Sequence, residues 1–136
     1  MKAGNDHRVP LSGRTLEILN EMVKLRPAGD GSAFVFPGQR PGKPLSGMVF
    51  LMLLRRMDRP DLTGHGFRST FRDWAAERTN YQNHVVESAL AHAVGDKVEA
   101  AYRRGDLFEK RRRLMDTWAG YCAQTPAKGE VVPLIA

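Results

Sequence analysis

The sequence has 136 residues, of which 42% are hydrophobic and 26% are charged, and this length and composition are typical of one globular domain. No apolar run approaches the roughly 18 residues of a membrane-spanning helix, residues 1–8 lack the apolar segment of a secretory signal, and the single cysteine, Cys122, excludes an internal disulfide. The net charge of +6 makes nucleic acid the leading partner class and a reducing, cytoplasmic setting the expected one; a basic chain without such a partner is the alternative.

The first predicted elements are a short strand and a helix. Residues 7–11 have strand-like composition, but Pro10 cannot donate a ladder hydrogen bond, so we predict an edge strand that ends there. Ser12 opens a helix that ends before Pro27. Its apolar residues recur at helical spacing: Leu16, Leu19, Met22 and Val23.

A loop and a buried helix are predicted next. Residues 27–44 are rich in Gly and Pro and indicate a surface loop, with residues 34–36 as a short buried anchor. Ser46 is a candidate N-cap for a helix through Met57. Because that helix is apolar on nearly all sides until Arg55, we expect it in the core.

The following helix has two distinct faces. Thr63 can cap it, and three aromatic residues expected in the core fall at positions i, i+4 and i+7: Phe67, Phe71 and Trp74. Arg68 and Arg72 share a different face. The pattern therefore predicts one packed face and one that faces anions.

Further helices complete the predicted domain. Asn83 caps one through Leu90, residues 97–103 form a short helical piece, and Asp106 with Glu109 resembles a capping box at the start of the last helix. That last helix has an apolar stripe made of Leu107, Leu114, Met115, Trp118 and Tyr121. We therefore predict a mainly α (α+β) domain over residues 1–122, with a small β-sheet on its N-terminal side and a flexible or docking tail at 123–136.

Three short blocks of sequence point to a chemistry. HGFRSTFRDWAAE occupies residues 65–77, LAHAVGDKVEAAYRR occupies 90–104, and DLFEKRR follows at 106–112. They contain a His-x-x-Arg box at a helix start, a Leu-x-His-x-x-Gly box about a helix later, and a tyrosine ten residues after that histidine. In this order they resemble the signature of tyrosine recombinases, and most closely that of integrases from temperate and satellite phages and genomic islands. The resemblance extends from Lys2 to Tyr121.

The resemblance implies site-specific integration of phage or genomic-island DNA. In the family, the tyrosine at the position of Tyr102 attacks the scissile phosphate, giving a 3′-phosphotyrosyl link and a free 5′-hydroxyl, with no metal, ATP or other cofactor. Such cleavage requires cations for the charge that develops on the phosphoryl group and a proton donor for the leaving oxygen. By the resemblance, Arg68 holds a non-bridging oxygen through its planar guanidinium, His65 accepts a proton or positions the tyrosine, and His92 donates a hydrogen bond to the phosphate.

Other basic residues have predicted contacts with DNA. Lys2 matches, by its spacing to residues 9–11, the hairpin lysine that protonates the leaving 5′-oxygen in the family. Candidate contacts to the DNA backbone are Arg72, Arg103, Lys110 and Arg111. The basic run at 110–113 is equally compatible with a solvated helix face.

The chain also departs from the family pattern. A complete recombinase carries another catalytic arginine and a helical DNA-clamping domain upstream, so we expect little or no recombination by this fragment alone. Two alternatives stay open: a catalytically inactive DNA-binding remnant of an integrase, and a basic protein-interaction module. A zinc site is disfavoured because no histidine pair has metal-ligand spacing.

The family also implies an assembly. Similar recombinases exchange strands as tetramers on double-stranded DNA at attachment sites. Residues 131–135 are apolar apart from the break at Pro133. We expect this segment to dock onto a neighbouring protomer in the full-length protein.

Overall fold

In the computed structural model, the described residues are 7–26, 34–40, 42–92 and 105–125, and they form a mainly helical structure. The helices of these ranges are α1 (Gly13–Lys24), α2 (Val49–Arg56), α3 (Gly64–Arg78), α4 (Asn83–Ala89) and α5 (Phe108–Ala123). The mainly α prediction is confirmed. No helix within the described ranges is long and apolar enough to cross a membrane.

Two of the predicted helix starts are confirmed by their capping hydrogen bonds. The Ser12 hydroxyl accepts the amide N–H of Thr15 at 3.3 Å, and the Thr63 hydroxyl accepts that of Gly66 at 3.0 Å. Both cap residues have extended backbone, and each bond satisfies a helix donor that has no partner within the helix. The start of α3, just before His65 and Arg68, is therefore set by local sequence.

The core lies between α3, α4 and α5. Its buried members are Phe71, Trp74, Ala75, Val85, Val86, Leu90 and Leu114. Trp118 and Tyr121 of α5 extend it, with ring centroids of Trp74 and Trp118 4.9 Å apart and those of Phe71 and Trp118 5.4 Å apart. Aromatic pairs at these distances add specific geometry to the burial of apolar area. The predicted apolar stripe of α5 is confirmed, and it fixes α3 and α4 relative to each other.

The start of α5 differs from the predicted capping box. The Asp106 carboxylate accepts the amide N–H of Phe108 at 3.2 Å, but Glu109 pairs with Arg112 at 2.7 Å instead of bonding back to the cap. Leu107 adopts a left-handed φ of 56° at the cap and packs against the core. Burial of the leucine side chain offsets the strain of that backbone conformation.

The predicted strand at residues 7–11 is wrong. These residues form no strand, and the β-pairing found in the described ranges is one isolated antiparallel bridge between Pro37 and Pro44. The carbonyl of Arg8, which a ladder would use, accepts a side-chain N–H of Arg111 at 2.7 Å. The segment is thus held by α5, not by a neighbouring described strand.

Three predictions of burial are also wrong. Phe34, Val35 and Phe36 are exposed and give no buried anchor, and Phe67, at the first turn of α3, is 53% exposed. Helix α2 begins at Val49, three residues after Ser46, and only Leu54 of it is buried. An apolar sequence predicts that a face seeks cover, but it does not say whether a neighbouring element supplies it.

Candidate active site

Arg68 and Arg72 lie one helical turn apart on the side of α3 that faces the end of α4. Both residues are exposed, and Phe71 and Trp74 point from the same helix into the core. This division follows from the helical period, since residues four apart share a face and residues three apart lie next to it. Packing of the aromatic face therefore aims the two guanidinium groups at α4.

The end of α4 places His92. Leu90 caps the helix, Ala91 has a left-handed φ of 54°, and two backbone hydrogen bonds close the turn. Ala91 N–H donates to the carbonyl of Ser88 at 3.2 Å and His92 N–H to that of Glu87 at 2.9 Å. This is the Schellman pattern, in which the residue after the left-handed position bonds back to the last turn. It turns the chain so that His92 meets α3.

A continuous chain of hydrogen bonds links these residues. Arg68 Nη2 donates to the carbonyl oxygen of Leu90 and to His92 Nε2, which is 3.1 Å away. His92 Nδ1 lies 2.6 Å from Glu87 Oε2, and Arg72 Nε donates to Glu87 Oε1 at 2.8 Å. The order of the chain is Arg68, His92, Glu87, Arg72. Residues 24 positions apart in sequence thus meet at one point.

The hydrogen bonds determine the tautomer of His92. A guanidinium carries only donors, so the ring nitrogen facing Arg68, Nε2, must present its lone pair. The proton of the neutral ring is then on Nδ1, where the Glu87 carboxylate accepts it. Burial alone would raise the pKa of Glu87, but the hydrogen bond from His92 and the charge of Arg72 outweigh it and hold the pKa below its ordinary value. The carboxylate is therefore ionised at neutral pH.

Comparison with known proteins agrees with the motifs. The chain is 38% identical over 121 residues to the prophage integrase IntA of Escherichia coli K12, a match that covers 88% of this chain and 28% of that protein. It is 31% identical over 126 residues to the integrase of Enterobacteria phage P4, covering 89% of this chain and 28% of the relative. The integrase of Shigella phage Sf6 is 31% identical over 130 residues, with 89% and 31% covered. The chain is a homologue of phage integrases.

The match concerns a part of those relatives. The chain spans less than a third of the length of the integrases it resembles. No family model matches it, and no solved structure matches it.

The remaining predicted site residues of this integrase homologue have different surroundings. His65 is exposed in the first turn of α3, and it forms no hydrogen bond or ion pair with another described residue. Lys110 is exposed on α5. Tyr102, Arg103 and Lys2 lie outside the described residues, so their roles stay predictions.

Arg111 has an internal role that is incompatible with the predicted phosphate contact. Its side chain is 1% exposed, and its three nitrogens donate to the carbonyl of Asp106 at 2.8 Å, the carbonyl of Arg8 at 2.7 Å and the Asp106 carboxylate at 3.2 Å. Arg8 in turn pairs with Asp106 at 2.8 Å and lies 4.8 Å from the ring centre of Phe108. The hydrogen bond from Arg8 lowers the pKa of Asp106. We call Arg8, Asp106, Phe108 and Arg111 the arginine clamp.

Glu87 is the site residue that sequence reasoning missed. Its side chain is only 16% exposed, and it joins His92 to Arg72. The signal in the sequence was its position five residues before His92, because a Schellman turn brings residues five apart into backbone contact. That signal becomes visible only if the helix is known to end at Leu90.

The left-handed residue at this turn gives a prediction about stability. We expect Ala91→Gly to raise the free energy of unfolding by about 0.5 to 1 kcal/mol, because glycine adopts a positive φ without the steric cost that alanine has. Urea denaturation followed by circular dichroism measures it. Ala89→Gly, inside α4, is the matched control and should lower the same free energy by about 1 kcal/mol. A loss of stability in both variants would contradict the assigned backbone conformation.

Proposed function

We propose that this integrase homologue acts in site-specific DNA recombination as a tyrosine recombinase, with Tyr102 as its nucleophile. The observation that carries the proposal is the 3.1 Å approach of Arg68 Nη2 to His92 Nε2, which unites two sequence boxes at one exposed point. Two nitrogen groups that converge on one point of the surface can bind two oxygens of one phosphate. The integrase names of the relatives support the same reaction class.

The proposed reaction uses side chains only. The phenolic oxygen of Tyr102 attacks phosphorus, its proton passes to His65, and the bond from phosphorus to the 5′-oxygen breaks. Lys2 gives that oxygen a proton, so that a 3′-phosphotyrosyl link and a 5′-hydroxyl result. Arg68 and His92 stabilise the charge on the non-bridging oxygens during the step. Attack by the 5′-hydroxyl of another strand reverses the chemistry and reseals the DNA.

Binding of duplex DNA would use the basic surface around this point. Arg72 is half exposed beside the site, and Lys110 is exposed on α5. With Arg103 they would contact backbone phosphates, which position a duplex without reading its sequence. Tetramer formation on DNA, with residues 131–135 docked on a neighbouring protomer, is part of the same proposal.

Covalent trapping tests the nucleophile. The chain is incubated with duplexes that carry a nick flanked by randomised sequence, so that cleavage releases a short fragment and leaves the protein on the DNA. We expect a denaturation-resistant adduct that peptide mapping assigns to Tyr102 and that Tyr102→Phe abolishes. Tyr81→Phe is the matched control, since the Tyr81 hydroxyl bonds to Thr117 at 3.0 Å, and its adduct should persist.

Each other outcome has a defined meaning. An adduct that survives Tyr102→Phe contradicts the assignment of the nucleophile. DNA binding without any adduct favours a DNA-binding remnant of an integrase. Absence of both binding and adduct favours a basic protein-interaction module.

A further inference from the structure

We infer that the Arg68–His92 site binds a phosphate together with one proton, which the pair formed by His92 and Glu87 takes up from solvent. The inference rests on the proposed function, because it concerns how the same site receives a DNA phosphate. It assigns to Glu87 a positioning and charge-compensating role in that binding. The argument starts from the hydrogen bonds of the site without a ligand.

His92 has no donor to offer a phosphate in that state. Its Nε2 accepts from Arg68 at 3.1 Å, and its single ring proton is held on Nδ1 by Glu87 at 2.6 Å. A phosphate oxygen that comes into contact with Arg68 Nη2 is within reach of Nε2. Two facing acceptors repel each other, so Nε2 must gain a proton before it can bind the oxygen.

The extra proton cannot come from within the pair. If Nδ1 keeps its proton, His92 becomes an imidazolium with Glu87 as its counterion. If Nδ1 releases its proton to Glu87, the carboxyl group becomes neutral and the histidine is the Nε2–H tautomer. Both arrangements hold one proton more than the site without a ligand. The uptake of one proton therefore follows whichever of the two groups carries it.

The charges around His92 make the proton and the phosphate bind together. Arg68 and Arg72 face the site from α3 and Glu87 faces it from α4, whereas no titratable side chain of α5 forms a hydrogen bond with His92 among the described residues. An imidazolium would lie beside the Arg68 guanidinium, and the two like charges disfavour protonation while the site is empty. A phosphate between them removes that repulsion. Glu87, with its side chain 16% exposed, supplies the compensating negative charge on the other side of the ring.

Glu87 is also bound to His92 through its backbone. Its carbonyl accepts the His92 amide N–H at 2.9 Å while its carboxylate accepts Nδ1–H. Two bonds from one residue fix both the position and the ring orientation of the histidine. Such support of a binding group by its neighbour is common in preorganised sites.

The test is isothermal titration calorimetry with a short duplex DNA at constant ionic strength. Titrations at pH 7.5 in two buffers of different ionisation enthalpy give the number of protons taken up. We expect uptake that His92→Asn removes, because asparagine donates a hydrogen bond without titrating, and that His7→Asn leaves unchanged. We also expect the dissociation constant to rise by up to about tenfold between pH 7 and pH 8, as one linked proton requires.

Glu87→Gln provides a second, independent variant. It keeps a hydrogen-bond acceptor for Nδ1 but removes the counterion, so both the uptake and the pH dependence should decrease. Binding that is equally tight at pH 7 and pH 8, without a buffer-dependent enthalpy, would overturn the inference and leave the proposed function standing. Uptake that persists in folded His92→Asn would also overturn it. A duplex that does not bind at any pH would overturn both proposals.

Discussion

Replacement of Arg111 by alanine is expected to lower the free energy of unfolding by about 3 kcal/mol. The side chain is 1% exposed and donates to two backbone carbonyls and one carboxylate. Its removal leaves buried acceptors without a donor and opens a cavity beside the Phe108 ring, and each of these losses costs free energy. Thermal and urea denaturation, monitored by circular dichroism, measure the change.

Arg112 is the matched control for this prediction. It is the next residue on α5, and its ion pair with Glu109 is exposed, with side chains 56% and 65% accessible. Exposed pairs contribute little, so Arg112→Ala should change the free energy of unfolding by no more than about 0.5 kcal/mol. Equal effects of the two substitutions would contradict the structural role of the arginine clamp.

Arg68→Lys should reduce the rate of covalent adduct formation by about 100- to 1000-fold, given the cleavage reaction proposed above. Lysine keeps the positive charge, but it lacks the planar fork that lets Arg68 donate to the Leu90 carbonyl while it faces His92. Equilibrium binding of DNA should fall far less, because Arg68 would contribute one contact among several. Single-turnover trapping and fluorescence anisotropy separate the two quantities.

The control for this prediction is Arg14→Lys. Arg14 is exposed on α1 and pairs with Glu17 at 2.8 Å. Its substitution changes the same functional group without touching the site, so adduct formation should be unaffected. If Arg68→Lys cleaves within about threefold of the unmodified chain, the phosphate-binding role of Arg68 is wrong.

Local signals in the sequence predicted those features that depend on local interactions. Ser12 and Thr63 cap their helices because their hydroxyls need only a donor three residues away. The spacing of Arg68 and Arg72 placed both on one face of α3. The motif order also indicated that His92 belongs with Arg68, and the structure brings the two side chains to 3.1 Å.

Features that depend on distant parts of the chain were not predictable in this way. The basic run at 110–113 contains one buried residue, Arg111, and three exposed ones, because the clamp partner Arg8 lies 103 positions away. Exposure of Phe67 and of most of α2 depends on which elements pack against them. The role of Glu87 depends on where α4 ends and on which face of α3 is opposite.

The arginine clamp also has a consequence for the order in which the chain acquires its structure. The hydrogen bond between Arg8 and Arg111 closes a loop of 103 residues, so it can form only after α5 has been synthesised. On the ribosome, residues 7–12 therefore stay without this anchor until almost the whole chain has emerged. Docking of the first described segment is a late event in folding, and a stalled or prematurely ended translation product would leave that segment unattached.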